Sequence, residues 1–204
     1  MSISSASAEL TLSTEAQDLI FRRARTANTF TAEPVTDEQV LSIMELVRWA
    51  PTSGNVQPLR VTVLRTDEAK ARLIPLLNEG NRAKTASAPV VAVLSADLDF
   101  HVHMDRLMPY LEGASDYFEN PVDRRHRSAE FNAVLQAAYF ILGVRAAGLA
   151  AGPMLGYDAA AIDSELFPGG RQRTVLVVNI GRPGPGAWMD RLPRLRPEET
   201  VRFL

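Results

Sequence analysis

The side chains best suited to chemistry in this sequence are spread along it rather than collected in one motif. Thr52, Ser53, Asn55 and Gln57 stand between Pro51 and Pro58, and hydroxyls and amides on a proline-stiffened backbone can bond the polar edge of a heterocycle. Asn81 and Lys84 are three residues apart, so a helix there brings an amide and a cation to one face. In Gly152-Pro153-Met154-Leu155-Gly156 the glycines remove side-chain bulk and let backbone approach a flat ligand. Arg25 and Arg191 offer guanidinium forks shaped for a terminal phosphate. Each group also has a plain structural use. Arg25 can simply end a helix, Arg191 and the Asn81 and Lys84 pair can be solvated, and the proline-flanked loop can be purely structural.

Other chemistries find less support. The chain has no cysteine, which excludes disulfides, thiol catalysis and thiolate zinc sites. Neither a Gly-x-Gly-x-x-Gly fingerprint nor a phosphate loop of Gly-x-x-x-x-Gly-Lys form is present, and no Gly-x-Ser-x-Gly elbow marks a serine nucleophile. His101 and His103, with Asp99 and Asp105 nearby, would share one side of a strand and are the best metal reading. No second ligand cluster follows them, so no metal is assigned. A formal net charge of -2 offers no field for nucleic acid. The cluster Arg124, Arg125, His126 and Arg127 reads more simply as a solvated or anion-attracting patch.

These side chains need a framework, and hydrophobic spacing supplies it. Thr14 with Gln17 reads as a capping box opening a helix that runs to Ala27, and Thr36 with Gln39 as a second box before Val40, Ile43, Met44 and Val47. That second helix stops at Ala50-Pro51, where the polar loop begins. Leu59, Val61 and Val63 alternate as a strand, Asp67 to Leu77 is a further helix, and Pro89 to Ser95 carries the apolar run of a central strand. Residues 97–127 form a mixed, lid-like excursion of the kind that often covers a binding site. Ser128 to Ala147 is a long, mostly apolar helix closed by Gly148, and Thr174 to Ile180 a last buried strand. The tail from Ala187 is rich in large apolar residues that need something to pack against, a partner subunit being one candidate. Residues 1–12 read as a flexible polar leader and residues 13–204 as one domain, a sheet with helices packed on it. The longest apolar run, Ala133 to Val144, is too short for about 30 Å of hydrocarbon. No secretory leader is visible, so a cytoplasmic location without a membrane partner is expected.

Taken in order, the same residues resemble the nitroreductase-like family of FMN-dependent oxidoreductases over nearly the whole chain. The resemblance rests on Ala24-Arg25-Thr26, Trp49-Ala50-Pro51-Thr52-Ser53-Gly54-Asn55-Val56-Gln57-Pro58, Asn81-Arg82-Ala83-Lys84 and Gly152-Pro153-Met154-Leu155-Gly156-Tyr157-Asp158, with Asn179-Ile180-Gly181 and Arg191-Leu192-Pro193 after them. It implies an α+β fold with a central mixed sheet flanked by helices, a C-terminal extension exchanged across a homodimer, and FMN at the interface. It further implies that Arg25, Thr26 and Arg191 hold the phosphate end and that Asn81 and Lys84 meet the pyrimidine edge. Pro51, Thr52, Ser53 and Asn55 would approach from the other subunit, while Pro153, Met154, Leu155 and Gly156 lie beside the ring. Hydride would pass from NADH or NADPH through flavin N5 to the acceptor, with Lys84 in an electrostatic role. The catalytic proton donor is unassigned.

Two positions depart from the family pattern: Asn28 stands where a basic residue is common, and Leu155 where many members carry an acid. At a finer level Trp49 to Ser53, Gly152-Pro153-Met154, Asn179-Ile180-Gly181 and Arg191-Leu192-Pro193-Arg194-Leu195 are similar to the malonic-semialdehyde reductase, or 3-hydroxypropanoate dehydrogenase, branch that serves pyrimidine degradation. That implies a small anionic aldehyde as substrate. The alternatives are a broad-specificity NAD(P)H nitroreductase or quinone reductase, and a non-enzymatic flavin-binding module.

Overall fold

The computed structural model describes residues 10–204, so most of the expected leader lies outside the described residues. In chain order the elements are α1 (Thr14–Gln17), α2 (Asp37–Val47), β1 (Leu59–Leu64), α3 (Asp67–Leu73), α4 (Glu79–Ser87), β2 (Val90–Asp97), α5 (Met104–Leu107), α6 (Ala114–Glu119), α7 (Val122–Ala146), β3 (Ala150–Met154), α8 (Ala159–Leu166), β4 (Gln172–Gly181) and α9 (Pro197–Thr200). The four strands form one sheet in the order β1-β2-β4-β3.

β2 is buried along its whole length, which its unbroken apolar run requires of a strand covered on both faces. Its alternate residues point to opposite sides. Val90, Ala92 and Leu94 pack with Ile43 of α2 and with Ala133, Phe140 and Val144 of α7. Val91 and Val93 join Leu73 of α3, Leu77 and Ile162 of α8. Helices therefore flank the sheet on both faces, as the α+β reading requires. Each of the three strand pairings is antiparallel, so the expected mixed sheet has no parallel pair among the described residues.

α2 opens with both halves of the capping box, Gln39 N–H to Thr36 Oγ1 at 3.2 Å and Thr36 N–H to Gln39 Oε1 at 2.9 Å. It crosses α7 so closely that a Cβ on Gly143 would stand 2.4 Å from Val47 Cγ1. Gly148 ends the turn after α7 at φ 72°, the left-handed conformation glycine adopts freely.

Several expectations need correction. Ser13, not Thr14, caps the first helix, accepting from Ala16 N–H at 3.2 Å. After α1 the chain makes one π-helical turn, Asp18–Arg22, and stops short of Ala27. α7 begins at Val122 rather than Ser128, and the basic cluster lies in its first turns. His101 and His103 lie in a short 3₁₀ turn, Phe100–His103, instead of on a strand. Among the described residues no group of three or more metal-ligating side chains forms. No helix among them is long and apolar enough to cross a membrane.

Candidate functional site

Two groups of the expected side chains gather at opposite edges of the sheet. The first lies along β3, which among the described residues is an edge strand paired with β4 alone. Its other side takes the Arg25-Thr26-Ala27 segment, through Ala27 N–H to Ala151 O at 3.3 Å. Residues of an antiparallel strand turn their backbone groups alternately to the two sides, so Pro153 and, past the strand end, Leu155 share the outward side with Ala151. Pro153 costs no ladder bond there. Glycine and proline weaken the strand signal of this run. It is a strand because Gly152 fits between neighbours: a Cβ there would lie 2.9 Å from Ala27 O and 3.3 Å from the Phe30 ring.

Beyond β3 the chain meets α4. Asn81 Nδ2–H donates to Gly156 O at 2.8 Å and Asn78 N–H to the same oxygen at 2.9 Å. A Cβ on Gly156 would stand 2.6 Å from Asn81 Nδ2, so the glycine is what lets α4 close on the strand. Lys84, one turn further, is half-buried, and its ammonium has no carboxylate or hydrogen-bond partner among the described residues. Burial pulls its pKa below the usual lysine value. Tyr157 next door is pushed up to about 12 by burial and then by the charge of Asp163, and its phenol stays neutral.

Met154 turns inward. It is buried, with its sulfur 3.8 Å from the Thr85 hydroxyl, so only its backbone faces the outward edge, whereas Leu155 is 72% exposed. Beneath them Asn179 Nδ2–H donates to Thr85 Oγ1 at 3.2 Å, tying β4 to α4.

The two expected arginines converge at the far end of β3. Arg191 donates to Arg22 O at 2.7 Å and Ala24 O at 3.4 Å, and Arg25 donates to Met189 O. Each guanidinium thus binds backbone of the other's segment, which lays the start of the tail beside residues 22–25. Thr26 is exposed next to them. A cleft of about 460 Å³ opens here between Arg25, Leu149, Ala150 and Trp188.

The second group, Pro51, Thr52, Ser53 and Asn55, precedes β1 at the other edge, about 14 Å away across three strand spacings. Within one chain it does not meet the first group. Its backbone is unusual, with φ of 60°, 53° and 40° at Gly54, Asn55 and Gln57. Buried amides of α7 hold it: Asn132 Oδ1 accepts from Ser53 N–H at 2.8 Å and Gln136 Oε1 from Leu59 N–H at 3.0 Å. Sequence reading passed over these two, although amides four apart on an apolar helical face were a visible signal. The excursion packs on the same loop, with Asn55 Nδ2–H donating to Leu107 O at 2.9 Å and the Phe118 ring 3.1 Å from where a Cβ of Gly54 would be.

Known proteins resemble this chain in sequence and in fold. A Streptomyces griseus protein described as an NADH dehydrogenase/NAD(P)H nitroreductase is 55% identical over 194 residues, covering 94% of this chain and 97% of the relative. A Leptothrix cholodnii protein of the same description is 46% identical over 184 residues, covering 90% and 93%. The fold is similar to that of a Bacillus subtilis nitroreductase (TM-score 0.83, 24% identity, 93% and 99% covered). It is also similar to that of an Exiguobacterium sibiricum chain solved in complex with FMN (TM-score 0.79, 20% identity, 96% and 100% covered). The family pattern itself matches residues 21–182, and on that extent of agreement the chain belongs to the nitroreductase family.

Proposed function

We propose that this chain is a flavoprotein oxidoreductase that holds FMN along the outward edge of β3 and uses NAD(P)H to reduce small acceptors. The observation that carries the reading is the unpaired, half-buried ammonium of Lys84 at one end of that edge, with Arg25 and Arg191 at the other. Partial burial already disfavours the charged form of Lys84, and an anionic ligand beside it offsets that cost. From Ala151 to Gly156 the edge runs about 17 Å, a span suited to an extended flavin mononucleotide. FMN, when bound, supplies the hydride transfer between nicotinamide and acceptor.

The residues of the chain then bind and orient. Arg25, Thr26 and Arg191 take the phosphate, Asn81 and Lys84 the pyrimidine edge, and Pro153, Leu155 and Gly156 supply backbone beside the ring, with Met154 backing them from the core. Pro51, Thr52, Ser53 and Asn55 belong to the same site only through a second copy, since one chain leaves them at the opposite sheet edge. A cytosolic homodimer is therefore part of the reading. Exposed apolar residues support it: Trp49 at the end of α2, Phe131 and Val134 on α7, and Leu192 and Phe203 in the tail.

For the acceptor, the names of the relatives favour broad NAD(P)H nitroreductase or quinone reductase activity. The narrower reading, malonic semialdehyde to 3-hydroxypropanoate, is supported by the sequence features of that branch and by the uncharged Leu155. The test is direct. Purified protein is expected to be yellow with about one FMN per chain, and loaded enzyme is given NADH or NADPH with malonic semialdehyde, a quinone and a nitroaromatic in parallel, with products identified. Absence of FMN after reconstitution overturns the cofactor. Quinone or nitro reduction without 3-hydroxypropanoate leaves the broad reductase.

A further inference from the structure

Below the 51–57 loop lies a second, smaller cavity of about 140 Å³. Its polar wall is Ser53, Asn120, Arg124, Arg125 and Ser128, and aromatic rings of Phe100, Tyr117 and Phe118 close the rest. Two cations and no carboxylate line it. A cavity of this size has room for a group of a few heavy atoms.

The two arginines are not equivalent. Arg125 is fully engaged, donating to Leu98 O at 2.9 Å, Glu119 O at 2.7 Å and Asp99 Oδ1 at 3.1 Å. It locks the excursion onto the start of α7 and its charge is offset by Asp99. Arg124 has no carboxylate or carbonyl acceptor among the described residues, and its guanidinium rests 5.7 Å from the centre of the Tyr117 ring. A guanidinium left free beside two serine hydroxyls is well formed for a carboxylate, which accepts two parallel N–H bonds. Ser53 belongs both to this wall and to the loop assigned above to the flavin, so a carboxylate seated here leaves the rest of a short molecule directed toward that loop.

We propose that this cavity is a carboxylate-binding subsite, with Arg124 as its principal ligand and Ser53 and Ser128 as hydroxyl donors, selecting acceptors that are short carboxylic acids bearing a reducible carbonyl. The inference rests on the flavoprotein reading for its role in turnover but not for binding itself. It makes the enzyme's preference a matter of Arg124: carboxylated aldehydes gain from it, whereas quinones and nitroaromatics do not.

The test is calorimetric titration of the full-length protein as purified with 3-hydroxypropanoate, and with propane-1,3-diol as the uncharged counterpart. Wild type is expected to bind the acid and not the diol, Arg124→Ala to weaken the acid roughly tenfold to a hundredfold, and Arg124→Lys to fall between. The acid is also expected to raise the KM for a quinone in wild type and not in Arg124→Ala, with bound FMN equal in both. Failure of wild type to bind the acid, or equal binding by Arg124→Ala, overturns the subsite. Protein that never takes up FMN overturns the flavoprotein reading instead, while the titration still reads the cavity.

Discussion

Asn81 and Gly156 are fitted to each other: the Asn81 amide donates to Gly156 O at 2.8 Å, and the space a Gly156 side chain would need is already taken by that amide nitrogen, 2.6 Å away. Gly156→Ala must therefore push the Asn81 side chain off the end of β3. Apo protein is expected to keep most of its thermal stability, because Gly156 is only half-buried. FMN affinity is expected to fall about tenfold with the misplaced amide. Fluorescence titration of apo protein with FMN checks this, and unchanged affinity would take Asn81 out of the site.

Lys84 separates folding from binding in a different way. Its partly buried ammonium lacks a partner among the described residues, and burial lowers its pKa. Lys84→Met keeps the aliphatic stem and removes the cost of burying the charge. Apo Tm is expected to hold or rise while FMN affinity drops about tenfold. A Tm that falls with affinity unchanged would mark Lys84 as structural.

Asp97, at the end of β2, is 1% exposed and bonds Arg60 at 2.6 Å and Arg171 at 2.8 Å and 3.0 Å. Burial works to raise its pKa, but the Arg171 bonds and the Arg60 charge outweigh it and hold the carboxyl low. A lowered carboxylate pKa adds stability above the unfolded value of about 3.9, lost as pH falls through the folded value. Asp97→Asn is expected to cost about 3 kcal/mol at neutral pH and to flatten the loss of stability below about pH 4. Urea unfolding at several pH values measures both, and an unchanged acid limb would show that other carboxylates govern it.

Removing the residues after Gly186 takes away Arg191 and Met189, and with them the three bonds that lay the tail beside Arg22–Arg25. It also removes the exposed apolar residues Leu192, Leu195 and Phe203. Sedimentation is expected to show a monomer, with bound FMN reduced by most of its occupancy. A truncated dimer with full FMN content would locate the interface and the phosphate ligands elsewhere.

Local patterns were enough to read much of this molecule in advance. The Thr36 and Gln39 capping box, the alternation through β1, the apolar run of β2 and the Gly148 stop after α7 depend on neighbours a few residues away, and each stands where its pattern put it. The order of short motifs likewise pointed to the family. What sequence could not carry was set by contacts between distant segments. Gly152 to Met154 lies in an edge strand although glycine and proline weaken any strand signal, since Ala27 and Phe30 leave room for no side chain at Gly152. Arg25 and Arg191 share one place because each caps carbonyls of the other's segment, a pairing across 166 positions that no local pattern encodes. The difference between Arg124 and its engaged neighbour Arg125 arose only when the excursion folded back onto α7 and brought Leu98 O, Asp99 and Glu119 O to one guanidinium and not the other.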